Sequence, residues 1–444
     1  MQMTKPHQHV HLDQRYLVIG LGLTGYATAC YLLANGYRCS IQDDRAQPPY
    51  LEKLLQAYPD ANIILQPLSE SLIAQSDCWV VSPGLSIRHP LIKKVAQSGI
   101  RVIGDIELFA EAVDKPVIAI TGSNGKSTVT TLVGEMIAAD GKKVAVGGNI
   151  GVPALDLLQQ QADIYVLELS SFQLETTYSL KPLAATVLNV SEDHMDRYDD
   201  LADYQQSKKR IYQQAQQVIS NADDELTGNT AADDQFSLQR DDVEYHLLDQ
   251  PETMLAVKGE GWIETRELKL KGRHNWANCL VAMALAQMAG VSKNAIIETL
   301  KSFPGLDHRS QWVAEINGVN WINDSKATNP GAALAAIQGI DEPIILLAGG
   351  QSKGANMQPL CTTLGIKVKL MLLFGQDAEQ IEASLQGCTK IERVDNLAAA
   401  VSRAYELAQS GDLVLLSPAC ASFDQFKGFA DRGEQFANLV RALA

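Results

Sequence analysis

Short apolar, β-rich runs alternate with helix-patterned segments along most of this chain, and that alternation narrows the folds open to it more than any other feature. The runs read YLVIG, CWVVS, RVIG, VIAIT, IYVLEL, ATVLNV, IILLAGG, LMLLFG and LVLLSPA. Between them lie segments with helical periodicity, such as Tyr26–Ala34 and Asn275–Met288. Strands that alternate with helices pack as parallel sheets covered on both faces, so an α/β fold is expected. At roughly 150 residues per domain, the 444 residues suggest about three domains. The pattern breaks at EAVDKP, ahead of Val117, and at SFPGLDHRSQ, Ser302–Gln311. Between Asp241 and Leu270 it changes to short alternating pieces (YHLL, MLAV, GWIETRELKL), read here as a small antiparallel sheet at the end of the middle domain. The expected domains are 1–112, 113–305 and 306–444.

Gly20-x-Gly22-x-x-Gly25 follows the first run and opens a helix, and Asp43 and Asp44 stand 18 and 19 residues beyond the last glycine, at the end of a second run. This is the dinucleotide fingerprint of a Rossmann-like domain. Glycines let the backbone approach a pyrophosphate, the helix N-terminus favours its charge, and an acid meets the ribose. The pattern specifies a diphosphate joined to a ribose and does not choose between a nicotinamide dinucleotide and a UDP-sugar. A plainer alternative is that the glycines serve only a tight turn. Arg45 could add charge for a phosphate or stack on a base. SPGL, Ser82–Leu85, closes another strand at an edge where such sheets bind ligands.

A second glycine motif, Thr121-Gly122-Ser123-Asn124-Gly125-Lys126-Ser127-Thr128, lies between the run VIAIT and an amphipathic segment. The common phosphate loop has four residues between its glycines, and this one has two. In a strand–loop–helix of this kind the backbone N–H groups and the helix dipole face the phosphates. Lys126 would reach the β- and γ-phosphates, and Ser127 or Thr128 would ligate Mg²⁺. A bare turn is the alternative, although a buried lysine at a helix start is costly without an anion. Downstream, Glu168 ends the strand of VLELSSFQLE, placed as a second metal ligand or as a solvated edge charge. Asn189, Glu192, Asp193, His194 and Asp196 follow the next strand. In DYQQSKKRIYQQ, helical spacing puts Lys208 on one face with Tyr204, Ile211 and Tyr212 while Lys209 points away. Either the Lys208 stem snorkels or its nitrogen takes part in chemistry.

The net charge of −15 argues against nucleic acid as a partner, because a phosphate backbone needs a basic face. The seven cysteines are scattered without a C-x-x-C, which reads as reduced, mostly buried thiols of a cytosolic protein. MQMTKPHQHVHLDQR lacks a signal-peptide apolar stretch, and no apolar run is long enough to span a bilayer, so a cytoplasmic protein without membrane insertion is expected. His7, His9 and His11 read as a frayed tail.

From about Tyr16 to its C-terminus the chain resembles the Mur ligases, the ATP-dependent amide-forming enzymes of peptidoglycan synthesis. The resemblance rests on TGSNGKST, whose short spacing is that family's, and on GGNIG (147–151), ELSSFQLE (168–175), NVSEDHMDRY (189–198), GRHNWAN (272–278) and DHRSQ (307–311). GLGLTG, NDSKATNP (323–330) and LSPACASFDQFKGFADRG (416–433) resemble the branch that adds D-glutamate. The adjacent acids of QDDR, 42–45, depart from that branch, where one is expected, and leave open whether Asp43 or Asp44 meets the uridine part.

The resemblance implies a Rossmann-like UDP-substrate domain, a central phosphate-loop ATPase domain with a parallel sheet, and a Rossmann-like C-terminal domain for the amino acid. It implies that ATP phosphorylates the carboxylate of UDP-MurNAc-L-alanine and that D-glutamate attacks the acyl phosphate. Gly122–Thr128, Asn278, Arg309 and Asp324 would bind ATP. Leu23, Thr24, Asp43, Asp44, Arg45, Ser82, Pro83, Gly84, Asn149 and His194 would hold the UDP substrate. Lys326, Thr328, Lys353, Ser422 and Phe429 would form the D-glutamate pocket. Lys126, Glu168, His194 and Lys208 would be catalytic. Ser127 and Glu168 would hold one Mg²⁺ (or Mn²⁺), and His194 with Lys208, carbamylated by CO₂, a second. A monomer is expected. Three rival readings are a nicotinamide oxidoreductase, a ligase adding glutamate to folates, and a non-catalytic nucleotide switch.

Overall fold

The computed structural model describes residues 13–443 apart from Glu192, His194, Asp196, 229–233, Gln250 and Lys271. The chain divides into two compact units. One takes the chain up to residue 249, with Ala256–Trp262 and Cys279–Thr299. The other takes 251–255, 263–278 and everything from Leu300.

The first unit opens with a parallel sheet of β1 (Arg15–Ile19), β2 (Arg38–Asp43), β3 (Asn62–Leu65), β4 (Cys78–Val81) and β5 (Arg101–Ile103), in the order β3-β2-β1-β4-β5. The chain leaves β1 for β2 on one side and returns to β4 on the other. The carboxyl edge between β1 and β4 is therefore a switch point, where open α/β sheets leave a ligand crevice. Gly25 is needed there for closeness. A Cβ on it would lie 1.7 Å from the Gly20 carbonyl oxygen, so only glycine lets the helix Leu23–Ala34 press against the loop after β1.

A second sheet holds β6 (Val117–Thr121), β7 (Val144–Gly148), β8 (Ile164–Glu168), β9 (Ala184–Val187), β10 (Gln217–Asn221), β11 (Asp234–Phe236), β12 (Tyr245–Leu248), β13 (Met254–Val257) and β14 (Glu260–Glu264). Its order is β14-β13-β12-β11-β10-β9-β6-β8-β7. The short strands expected between Asp241 and Leu270 form, and they continue this sheet at its far end. β6 is buried at every position and runs parallel between β8 and β9, with Ile120 paired to Glu168 and Thr121 to Val187. Whatever follows β6, β8 and β9 is therefore gathered at one edge.

The third sheet belongs to the second unit: β15 (Gln311–Ile316), β16 (Val319–Asn323), β17 (Ile344–Gly349), β18 (Val368–Phe374), β19 (Ile391–Arg393) and β20 (Leu413–Leu416), in the order β15-β16-β20-β17-β18-β19. β15 is antiparallel to β16 and the other pairs are parallel. Apolar clusters cover both faces, around Leu346 and Leu415 on one side and Trp321 and Phe436 on the other.

One cysteine reading is corrected. Cys361 and Cys388 form a disulfide with their Cα atoms 4.9 Å apart, within the reach of such a bond. The two stand 27 residues apart, and nothing in their spacing signals that the turn after 384 returns to the helix Cys361–Lys367. The other five cysteines are free thiols, of which Cys39, Cys78, Cys279 and Cys420 are buried. No helix among the described residues is long and apolar enough to cross a membrane.

Candidate active site

A cavity of about 640 Å³ opens at the switch point of the first sheet. Gly20 and Gly22 line it from the loop after β1, Leu23, Thr24 and Gly25 from the helix start, Asp43–Arg45 from the end of β2, and Ser82–Gly84 from the end of β4. Gly22 caps the helix without a side-chain bond, so the first-turn N–H groups are free to meet an anion. The adjacent acids part company. Asp43 is buried, accepts from the Leu21 N–H at 2.7 Å and pairs with the Arg45 guanidinium at 2.6 Å. The Arg45 hydrogen bonds, helped by the Leu21 N–H, hold its pKa down to about 2 despite burial. Asp43 thus fastens the glycine loop, and Asp44 is the exposed acid on the cavity wall.

The phosphate loop occupies the carboxyl edge of β6. Gly125, with φ of +84°, turns the chain into the helix Lys126–Ala139. Asn189, after β9, clamps the loop: its Oδ1 accepts from the Asn124 N–H at 2.8 Å, its Nδ2 donates to the Asn124 carbonyl at 3.1 Å, and its own carbonyl takes the Ser123 N–H at 2.9 Å. The Ser123 hydroxyl donates to the Ser191 carbonyl at 3.0 Å. Ser127 and Thr128 are buried at the helix start.

Lys126 Nζ donates to the carbonyls of Gly122 at 2.8 Å and Ser123 at 2.9 Å. Lys208 is 1% exposed, and its Nζ donates to the same Gly122 carbonyl at 2.9 Å while lying 4.3 Å from the centre of the Tyr204 ring. Its nitrogen does not snorkel. Burial, and then the nearby Lys126 ammonium, push its pKa well below the ordinary lysine value. Glu168 is buried at the end of β8. Its Oε1 accepts from Asn149 Nδ2 at 2.8 Å, and its Oε2 is buried with no hydrogen-bond partner among the described residues. Asn149 therefore stands beside Glu168 and is not part of the cavity wall. His194 lies outside the described residues. Among those described, no three His, Cys, Asp or Glu side chains gather as a metal site.

In the second unit the residues expected to bind the amino acid follow strands of the third sheet at its carboxyl edge. Lys326 and Thr328 follow β16, Lys353 follows β17, and Ser422 and Phe429 follow β20. Lys326 Nζ sits 3.9 Å from the centre of the Phe429 ring, and Lys353 Nζ lies 5.9 Å from that of Phe423. Ser422 is buried. Asp324 accepts from the Ser310 N–H at 3.1 Å and the Ser417 hydroxyl at 2.8 Å, and burial raises its pKa to about 7. His308 and Ser310 both take positive φ, so Arg309 stands on a strained turn held by Asp324. Asn278, on the helix Arg273–Met288, donates to Asn275 Oδ1 at 3.2 Å.

Three family models match the chain in succession. "Mur ligase MurD-like, N-terminal domain" matches residues 14–104, "Mur ligase middle domain" 120–286 and "Mur ligase, glutamate ligase domain" 308–420. The UDP-N-acetylmuramoylalanine–D-glutamate ligase of Marinobacter nauticus is 48% identical over 97% of this chain and 99% of its own. That of Methylococcus capsulatus is 46% identical over 97% and 95%. The chain belongs to the Mur ligase family. In fold this Mur ligase is similar to the UDP-N-acetylmuramate–alanine ligase MurC of Thermotoga maritima, with a TM-score of 0.60 at 19% identity over 97% of this chain and 100% of that one. As members of that family do, it uses ATP to form amide bonds.

Several residues of this Mur ligase escaped sequence reasoning. Arg88 reaches from the segment after β4 to Glu175 at 2.8 Å and to Asp203 at 2.6 Å. Arg197 reaches back from the loop after β9 to the Pro83 carbonyl at 2.8 Å, its guanidinium 3.7 Å from the centre of the Phe172 ring. Arg432 is fully buried and donates to the carbonyls of Ser325 at 2.9 Å and Cys420 at 3.1 Å, joining the segments after β16 and β20. Arg197 and Arg432 sit inside the motifs NVSEDHMDRY and LSPACASFDQFKGFADRG, and that was the only signal for them. Arg88 carried none.

Proposed function

We propose that this Mur ligase joins D-glutamate to UDP-N-acetylmuramoyl-L-alanine at the expense of ATP, in the cytoplasmic synthesis of peptidoglycan precursors. The observation that carries the reading is the buried edge of the second sheet. There the phosphate loop, the Lys208 amine and the buried Glu168 carboxylate lie together. The relatives' shared name selects the substrates.

A carboxylate is a poor electrophile at neutral pH. An oxygen of the L-alanine carboxylate attacks the γ-phosphorus of ATP and ADP leaves, which gives an acyl phosphate. The D-glutamate amine attacks the acyl carbon, loses a proton, and phosphate departs with the oxygen that the carboxylate brought. The first step draws two anions together, so positive charge and preorganised donors must be concentrated there. Lys126 and the loop N–H groups would hold the phosphates. Asn278, Arg309 and Asp324 would contact the nucleoside, and the cavity of the first sheet would take the uridine diphosphate, with Asp44 rather than Asp43 facing it. Asn149 would approach the muramoyl-alanine arm from beside Glu168. Lys326, Thr328, Lys353, Ser422 and Phe429 would receive D-glutamate, whose two carboxylates need cations and hydroxyls.

The donor set suits Mg²⁺. A buried carboxylate oxygen without a hydrogen-bond partner among the described residues and a buried hydroxyl at a helix start are hard oxygen ligands, so Ser127 and Glu168 would hold one ion. His194 and carbamylated Lys208 would hold the second. When bound, Mg²⁺ neutralises charge on the phosphates and on the entering carboxylate. Only an uncharged amine reacts with CO₂, and burial, then the Lys126 charge, favours that form of Lys208.

Phosphate release from ATP, measured with UDP-MurNAc-L-alanine and a panel of amino acids, tests the assignment. Release with D-glutamate is expected. Activity with L-glutamate or L-lysine but not D-glutamate would overturn it.

A further inference from the structure

Arg88 and Arg197 form a reciprocal clasp between two sheets of the first unit. Arg88 leaves the segment that begins at the cavity lip, Ser82–Gly84. One guanidinium nitrogen spans both carboxylate oxygens of Asp203 at 2.6 and 2.7 Å. The other donates to Glu175 at 2.8 Å and to the Arg197 carbonyl at 3.1 Å. Asp203 lies in the first turn of the helix Leu201–Lys209, which carries Lys208. Glu175 also accepts from the Ser207 hydroxyl at 3.4 Å, the residue before Lys208. In the opposite direction Arg197 donates to the Pro83 carbonyl at 2.8 Å, on the cavity lip. Tyr198 stacks on Phe172 at 5.9 Å and meets Tyr204 at a tilt at 5.0 Å, so packed rings back the clasp as far as the ring beside Lys208.

Arg88 faces two carboxylates here, partly out of water, with the Arg197 guanidinium on a carbonyl and a ring beside it. Such groups add little net stability over an apolar filling, while fixing geometry firmly. A substrate bound at one end in the cavity must bring its carboxylate to the phosphate loop at the other. A misplacement of about 1 Å in such a reaction lowers the rate on the order of 100-fold.

We propose that Arg88 and Arg197 are positioning residues that hold the lip of the uridine diphosphate cavity in register with Lys208 and the phosphate loop. The acyl-phosphate step then depends on them, although neither touches a reacting atom. This rests on the function proposed above.

The test uses the full chain with Arg88→Met, Arg197→Met and the double variant. UDP affinity measured by calorimetry should stay within two-fold of the parent. kcat at saturating substrates should fall roughly 10- to 100-fold, and the double variant should lose no more than the worse single one, because the pair acts as a unit. Hydrogen exchange gives a readout independent of ligation. UDP should slow exchange across residues 197–208 in the parent protein and not in the variants. Should Arg88→Met fail to fold, Arg88→Lys keeps the charge without the two-oxygen grip and should show a smaller loss of the same kind. Unchanged kcat in folded variants would overturn the proposal. So would loss of UDP affinity by the same factor as kcat, or parent protein in which UDP leaves 197–208 unprotected. A parent that protects 197–208 yet makes no amide would instead fail the functional reading alone.

Discussion

Lys126 and Lys208 donate to the same carbonyl oxygen, that of Gly122, at 2.8 and 2.9 Å. Burial penalises the inner ammonium most, and the Lys126 charge beside it adds to that. Together they push the Lys208 pKa well below the ordinary lysine value, while Lys126, only partly buried, is placed to meet the phosphates. Lys208→Ala should fold and lose at least about 100-fold in kcat, as expected when preorganised charge is removed from a reacting centre. Short carboxylic acids should restore part of the activity by standing in for the carbamate. A folded variant that no acid rescues would count against that role.

The adjacent acids should separate by experiment. Asp43→Ala removes the acceptor of the buried Leu21 N–H and should destabilise the protein by about 1–3 kcal/mol in denaturant titrations. Asp44→Ala should leave stability within about 0.5 kcal/mol, as for most surface changes, and raise KM for the UDP substrate. The reverse pattern would assign the uridine contact to Asp43.

Much of this was legible because the decisive residues lie at strand ends, where local pattern and chemistry coincide. Gly20–Gly25 and TGSNGKST announce their turns through glycine, and Lys208 betrays itself by sitting on an apolar face. Partnerships across the fold were not legible. The Arg88–Asp203 contact joins residues 115 apart, and the Asn189 clamp reaches back 65 residues to Asn124. The Cys361–Cys388 pairing depends on a turn with no cysteine signature. Asp43 looked like a ligand contact because an acid at the end of β2 carries the same letter whether it meets a ribose or fastens a loop.

Asp324 should give stability a pH signature. Burial raises its pKa to about 7 from an ordinary 3.8, so the folded state binds a proton that the unfolded chain has lost. The favourable contribution is complete below about pH 4 and disappears as pH rises through about 7. Asp324→Asn should flatten that part of the stability–pH curve measured by thermal unfolding. An unchanged slope between pH 4 and 7 would show that another group is responsible.

Arg432→Met should unfold the third sheet's carboxyl edge more readily. It removes the Arg432 donor from the buried carbonyls of Ser325 and Cys420, a loss of about 2–6 kcal/mol at 1–3 per unsatisfied group. KM for D-glutamate should rise even where the protein still folds, because the segments bearing Lys326 and Ser422 lose their common brace. Unaltered KM would remove Arg432 from the account of that pocket.

The central claim is that ATP activates the substrate's carboxylate, and oxygen isotope transfer tests it most directly. UDP-MurNAc-L-alanine labelled with ¹⁸O in both carboxylate oxygens is turned over with ATP and D-glutamate, and the released phosphate is analysed by mass spectrometry. One ¹⁸O atom per phosphate is expected, since the carboxylate oxygen that attacks phosphorus leaves with it. Unlabelled phosphate accompanying amide formation would contradict the acyl-phosphate route.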